Sequence, residues 1–178
     1  MTKLIILDRD GVINYDSDAF IKTPDEWRPL PGSLEAIAKL NHSGYRVVVC
    51  SNQSGIGRGL LDMAALNAIN DKMYKALAQM SGRIDALFYC PHPAEANCEC
   101  RKPKPGMFQD IALRFNVDLT GVPSVGDSLR DLQASAAVRC RPILVLTGKG
   151  MKTQSAGGLP QGTHVYEDLA AAVRALIT

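Results

Sequence analysis

Short apolar runs alternating with stretches of helical periodicity constrain this chain more than any other feature. The runs fall at residues 4–7, 46–50, 86–89, 123–125 and 143–146, are rich in Val, Ile and Leu, and are each followed by a loop. Between them, residues 33–43 turn Leu34, Ile37 and Leu40 to one side, residues 62–80 do the same with Leu66, Ile69, Met73 and Leu77, and residues 106–115 repeat near the helical period. Strands this apolar need cover on both faces. Alternation with helices supplies it through crossover connections, so an α/β fold is expected, a doubly wound parallel sheet whose ligands bind beyond the carboxyl ends of its strands.

Local chemistry supports the same division. Ser33 or Gly32 can cap the first helix after Pro31, Asp62 can cap the second, Pro105 suits a first helical turn, and Gly44 closes the first helix. The polar segment 153–163, with its glycines and Pro160, reads as a surface loop before a last strand at 164–166 and a last helix at 169–177. At 178 residues the chain is expected to form one domain, and no insertion between the first three strands is long enough for a separate cap domain. Residues 14–31 are a flap at most. The first apolar stretch ends at Asp8, too soon for a signal peptide or a membrane span, so a cytoplasmic protein without membrane contact is expected, acting as a monomer.

Two acids one residue apart, Asp8 and Asp10, close the first strand. Carboxylates beside a buried strand need a cation or hydrogen-bond donors to stay ionised, and matching groups occur far downstream at Ser51, Lys102 and Asp127. Singly, these three read as a turn hydroxyl, a surface cation and a helix cap. Together, in a doubly wound sheet, they converge at the strand ends. Asp-x-Asp-Gly, a Ser after the second strand, a Lys, and then Gly126-Asp127-Ser128-Leu129-Arg130-Asp131 resemble the four motifs of the haloacid dehalogenase (HAD) superfamily of phosphotransferases, over nearly the whole chain.

The resemblance implies a Rossmann-like domain of the HAD type and roles for single residues. Asp8 is then the nucleophile that forms an aspartyl phosphate, and Asp10 protonates the leaving alkoxide and later activates water. Ser51 and Lys102 would hold the phosphoryl group, and Mg²⁺ would sit on Asp8, Asp127 and the backbone carbonyl of Asp10, an oxygen set that suits a hard cation. Asp131 would support the metal shell or cap its helix. Val12 departs from the pattern, which usually has Thr there, and so does Ser128, where many relatives carry Lys.

Three thiols and an imidazole, Cys90, His92, Cys98 and Cys100, lie within eleven residues and can close a tetrahedral S₃N shell around Zn²⁺ at 90–100; free cysteines are the alternative. Such a crosslink would aim Arg101 and Lys102 at the phosphate site. Cys50 and Cys140 read as small buried apolar residues, and His42 and His164 as surface groups.

With this loop, the chain is similar to a small zinc-bearing branch of the superfamily whose groups act on a heptose 1,7-bisphosphate or on histidinol phosphate. The stretch from Asn52 to Gly59 and Pro103-Lys104-Pro105-Gly106-Met107 resemble the first group, implying removal of a 7-phosphate in the making of nucleotide-linked heptose for lipopolysaccharide or other glycans. Arg101 would then hold the second phosphate, while Asp16, Ser17, Asp18, Ala19, Asn52, Gln53 and Ser54 would line the sugar pocket. A receiver-like module that binds phosphate without turnover is the noncatalytic alternative. The net charge of +2 and the absence of a basic, aromatic surface pattern argue against nucleic acid as a partner.

Overall fold

The computed structural model describes residues 3–178. Six strands form one parallel sheet in the order β3-β2-β1-β4-β5-β6: β1 (Lys3–Leu7), β2 (Tyr45–Asn52), β3 (Ala86–Cys90), β4 (Pro123–Gly126), β5 (Arg141–Val145) and β6 (His164–Tyr166). The order reverses at β1, which pairs with β2 on one side and β4 on the other. That switch leaves a crevice beyond the carboxyl end of β1.

Side-chain alternation along the strands feeds two separate cores. Ile5, Leu7, Val47, Val49, Val125, Ile143 and Val145 pack with α1 (Ser33–His42), α3 (Met63–Gln79) and α7 (Leu169–Ile177). Leu4, Ile6, Val48 and Cys50 point the other way, onto Met107, Phe108 and Ile111 of α4 (Gly106–Phe115) and Ala134 of α5 (Leu129–Ala137). Both faces are therefore buried, which is why these strands read as unbroken apolar runs. The expected inward residues of α1 and α3 are buried, Asp62 caps α3 by accepting from the Ala65 backbone N–H at 2.8 Å, and Gly32 takes the capping position of α1 with a φ of 79°.

Two local readings are corrected. Ser51 does not follow β2 but lies within it, opposite Tyr89, because a parallel ladder pairs backbone whatever the side chain. Residues 153–156 are helical rather than loop: α6 (Gly150–Ala156) takes them in, and the Thr153 hydroxyl donates to the carbonyl of Asp127 at 2.7 Å. Seven residues without an apolar stripe carry no readable period. α5 and the four-residue α2 (Ser54–Gly57) likewise escaped the periodicity. The flap is pinned at its base, where Trp27 is 1 % exposed and Lys72 of α3 donates to the carbonyls of Pro24 and Trp27. Among the described residues, no helix is long and apolar enough to cross a membrane.

Candidate active site

Beyond the carboxyl ends of β1, β2 and β4 lies a cavity of about 240 Å³ whose walls carry Asp8, Asp10, Lys102, Asp127 and Asp131. Asp8 follows β1, Asp127 follows β4, and Asp131 reaches back from the first turn of α5. One carboxylate oxygen from each lies within 4.8 Å of the others. The approach to Asp127 depends on two glycines, since a Cβ on Gly11 (φ +86°) or Gly148 (φ +55°) would collide with its carboxylate. The Lys149 backbone N–H donates to Asp127 Oδ2 at 2.8 Å, and Thr147 Oγ1 donates to the Gly11 carbonyl at 2.7 Å, tying the loop after β5 to the loop after β1.

Lys102, 2 % exposed, is the cation of this group. Its Nζ lies 2.7 Å from Asp131 Oδ1 and 3.3 Å from Asp8 Oδ1, and donates to the Cys50 carbonyl at 2.7 Å. Asn52 clamps its backbone, with Nδ2 donating to the Lys102 carbonyl and Oδ1 accepting from its N–H at 3.0 Å. Burial, then the neighbouring Asp131, pushes the Asp8 carboxyl well up from its ordinary value, with Lys102 opposing. Burial, then Asp131, also raises Asp127 to about 7. Asp131 goes the other way: burial would raise it, but Lys102 and the Ser128 donors outweigh that and hold it low. Its Oδ2 accepts from the Ser128 hydroxyl at 2.9 Å, so Asp131 both caps α5 and joins the acid cluster.

Asp10 stands apart from the three clustered acids. Its carboxylate accepts from Arg9, Asn14 and Gln53, so burial, which would raise it, loses to those donors and the group is held low. Gln53 Nε2 also donates to Ser51 Oγ at 2.7 Å. That bond fills a lone pair of the hydroxyl and leaves its hydrogen free to donate elsewhere.

Beside this cavity, Cys90 at the end of β3 meets His92, Cys98 and Cys100, with ligand atoms all within 4.8 Å. Cys98 Sγ lies 3.6 Å from both Cys90 and Cys100 Sγ, and His92 Nδ1 lies 3.4 and 3.3 Å from Cys90 and Cys100 Sγ. Zinc bonds of ~2.3 Å to sulfur and ~2.0 Å to nitrogen imply tetrahedral edges of ~3.8 and ~3.5 Å, close to these four. Only Cys90 to Cys100, at 2.8 Å, is tighter. Burial and the bond from Cys100 push the Cys90 thiol up to about 12. For Cys98 burial is outweighed by the Arg101 backbone and the neighbouring thiols, which draw it down to about 6.

Residues 99–172 match a family model described as HAD-hydrolase-like, and residues 3–130 match one described as polynucleotide kinase 3 phosphatase. The chain is 63 % identical over 175 residues to D-glycero-beta-D-manno-heptose-1,7-bisphosphate 7-phosphatase of Bordetella bronchiseptica, covering 98 % of each chain. The chain belongs to the heptose-1,7-bisphosphate 7-phosphatases of the HAD superfamily. A crystal structure of the B. bronchiseptica phosphatase, complexed with magnesium and phosphate, superposes with a TM-score of 0.97 over 98 % of both chains. The phosphatase of Burkholderia thailandensis is 56 % identical and gives 0.80 over 99 % of both. The chain is thus an α/β phosphoric monoester hydrolase.

Against this family frame, most residues singled out from the sequence meet at one place. Asp16, Ser17, Asp18, Asn52, Gln53, Ser54 and Arg101 line the cavity with the acids and Lys102. Ala19 is a correction: it is exposed outside the lining, where its carbonyl accepts from Lys22 Nζ. Ser51 lies just behind the wall, 2 % exposed. Gln53, expected at the sugar, is 7 % exposed and spends its amide on Asp10 and Ser51. Arg58, Arg130 and Lys149 were missed. They line the cavity from loops and a helix start, and only Arg130 carried a signal, two residues beyond the Ser128 that departs from Lys. Arg9, fully buried, was missed as well, although a cation between two acids at a strand end is itself a mark.

Proposed function

We propose that this phosphatase removes the 7-phosphate of D-glycero-β-D-manno-heptose 1,7-bisphosphate through an aspartyl phosphate on Asp8. The observation that carries the chemistry is the strand-end arrangement: Asp8 against Lys102 at 3.3 Å, with the separately held Asp10 on the same cavity wall. The observation that carries the substrate is the 63 % identity to the B. bronchiseptica enzyme over 98 % of the chain.

An Asp8 oxygen bonds to phosphorus as the bond from phosphorus to the sugar oxygen breaks, and Asp10, held ionised by its donors, delivers to that oxygen a proton it has first taken from solvent. Water then attacks phosphorus and yields its proton to Asp10; phosphate leaves and the Asp8 carboxylate is restored. Lys102 holds charge against Asp8 throughout, and the free hydrogen of Ser51 would be donated to a phosphoryl oxygen.

When all three are ionised, the clustered carboxylates exceed the one ammonium by two negative charges, and their oxygens suit a hard divalent cation. Asp8, Asp127 and the carbonyl of Asp10 would hold Mg²⁺, which when bound supplies positive charge to the nucleophile and the phosphoryl oxygens. Cys90, His92, Cys98 and Cys100 would hold a structural Zn²⁺; four protein ligands leave it no open position. Elemental analysis should return about one zinc per chain, and a zinc-free protein purified from zinc-supplied cells would refute that site.

Arg101, with Arg58 and Arg130 on the same wall, supplies charge for the phosphate that is not removed. An amine substrate would look for an acid instead; of the two flap acids in the lining, Asp16 is already 3.4 Å from Lys149, which leaves Asp18 against three arginines. The reading is of a cytoplasmic monomer acting on a small phosphosugar without nucleic acid. Parallel phosphate-release assays test it: the bisphosphate should be hydrolysed far faster than histidinol phosphate, and Arg101→Ala should narrow the gap. Equal specificity constants for the two compounds would defeat the substrate assignment.

A further inference from the structure

Arg9 is 1 % exposed, and a buried guanidinium is costly unless each arm is occupied. Its Nε donates to Asp10 Oδ1 at 2.9 Å, Nη2 to Asp10 Oδ2 at 3.3 Å, and Nη1 to Asn70 Oδ1 at 3.1 Å. Asn70 is buried on the inward face of α3 with Leu66, Ile69, Met73 and Leu77, and among the described residues Arg9 is the side chain it bonds.

The two oxygens of Asp10 are held unequally. Oδ1 takes two short bonds, from Arg9 Nε and from Asn14 Nδ2, both 2.9 Å. Oδ2 takes two long ones, 3.3 Å from Arg9 and 3.2 Å from Gln53. The longer pair is the weaker, at the upper end of the ordinary range. We propose that Arg9, anchored by Asn70, is a positioning residue that commits Oδ1 to fixing the Asp10 side chain and leaves Oδ2 as the oxygen that carries the proton. The inference rests on Asp10 being the proton carrier, as read above.

The proton balance makes the two halves of the reaction separable. Loss of a sugar alkoxide needs a proton from Oδ2 as the bond to phosphorus breaks. Nitrophenolate leaves without one, yet hydrolysis of the aspartyl phosphate still needs Oδ2 to take a proton from water. A displaced Asp10 therefore slows both steps for a sugar phosphate but only the second for p-nitrophenyl phosphate.

The test uses the full chain with Mg²⁺ and stopped-flow kinetics on Asn70→Leu and Arg9→Lys. Lys keeps the charge but not the fork. Both variants should lose about ten- to a hundredfold in kcat on heptose bisphosphate with KM within about twofold, as loss of an orienting partner does. On p-nitrophenyl phosphate both should release a burst of about one nitrophenolate per active site. Equal losses on both substrates without a burst, or wild-type kinetics in Arg9→Lys, would overturn the role. Asn70→Leu, apolar on an apolar face, keeps the test open if Arg9→Lys fails to fold. Asp10→Asn separates the two readings: wild-type turnover there removes the proton carrier itself, whereas an inactive Asp10→Asn beside normal Asn70→Leu and Arg9→Lys removes only this inference.

Discussion

The acid cluster and the cysteine loop lie side by side at one edge of the crevice, yet they are assembled in opposite ways. Asp8 comes from a part of the chain distant from Asp127 and Asp131, and the three meet because β1, β4 and the start of α5 come together beyond the sheet; Cys90, His92, Cys98 and Cys100 lie within eleven residues and meet because an irregular loop curls on itself. The first offers oxygen to a hard cation and pairs it with a buried ammonium. The second offers sulfur and nitrogen with no cation of its own in the shell. Strand ends and a helix start thus carry the clustered acids, and the loop, which has only a single turn of 3₁₀ helix at Ala94–Ala96, would rely on a metal crosslink to hold Arg101 and Lys102 at the cavity.

The comparison breaks first at Asp8. Asp8→Asn should cost ~10⁴-fold or more in kcat, as removal of a nucleophile does, with the fold unchanged by circular dichroism; substantial turnover in that variant would shift the chemistry to another group. The loop should matter less to chemistry and more to binding. Cys98→Ser should lower kcat/KM about ten- to a hundredfold, mainly through KM for the bisphosphate, and a loss confined to kcat would show that the loop acts on the reaction itself.

Protons and metal sharpen the same contrast. Asp8 and Asp127 are raised in the folded state, so these two acids bind protons there that the unfolded chain has released, while the lowered Asp10 and Asp131 act the other way near the unfolded value of ~3.9 and Cys98 does so above about 6. The contribution of Asp8 and Asp127 to the stability of the metal-free protein should fall as pH rises from ~3.9 through about 7, and Asp8→Asn should flatten that fall. Mg²⁺ favours the ionised acids and should raise Tm more near pH 8 than near pH 5; equal shifts at both would place the cation elsewhere. The smallest effect is expected far from both sites. Asp62→Ala removes a helix cap at α3 and should cost ~1 kcal/mol in denaturant unfolding with unchanged kcat/KM.

Legibility followed how local each signal is. The helices with apolar stripes and the capping acid at Asp62 were readable because period and cap lie within one turn or a few. α5 and α6 were not, being short and positioned by contacts such as Thr153 to the Asp127 carbonyl. At the site, acids and cysteines were readable as types in order. Arg9 and Asn70 were missed because their pairing spans 61 residues and joins a loop to an inward helix face. That Gln53 bonds Asp10 and Ser51 was hidden for the same reason, since these partners are fixed only when β1 and β2 lie side by side.

Sequence alone therefore determined the alternating architecture, the chemical kinds of group at the strand ends and the thiol set of the loop, because apolar period and residue type are properties of neighbours along the chain. Tertiary structure alone decided that Asp131 joins Asp8 and Asp127, that Asp10 is taken by Arg9, and which carboxyls are pushed up or held low. Burial and Coulomb energy depend on distances that close only when remote segments pack.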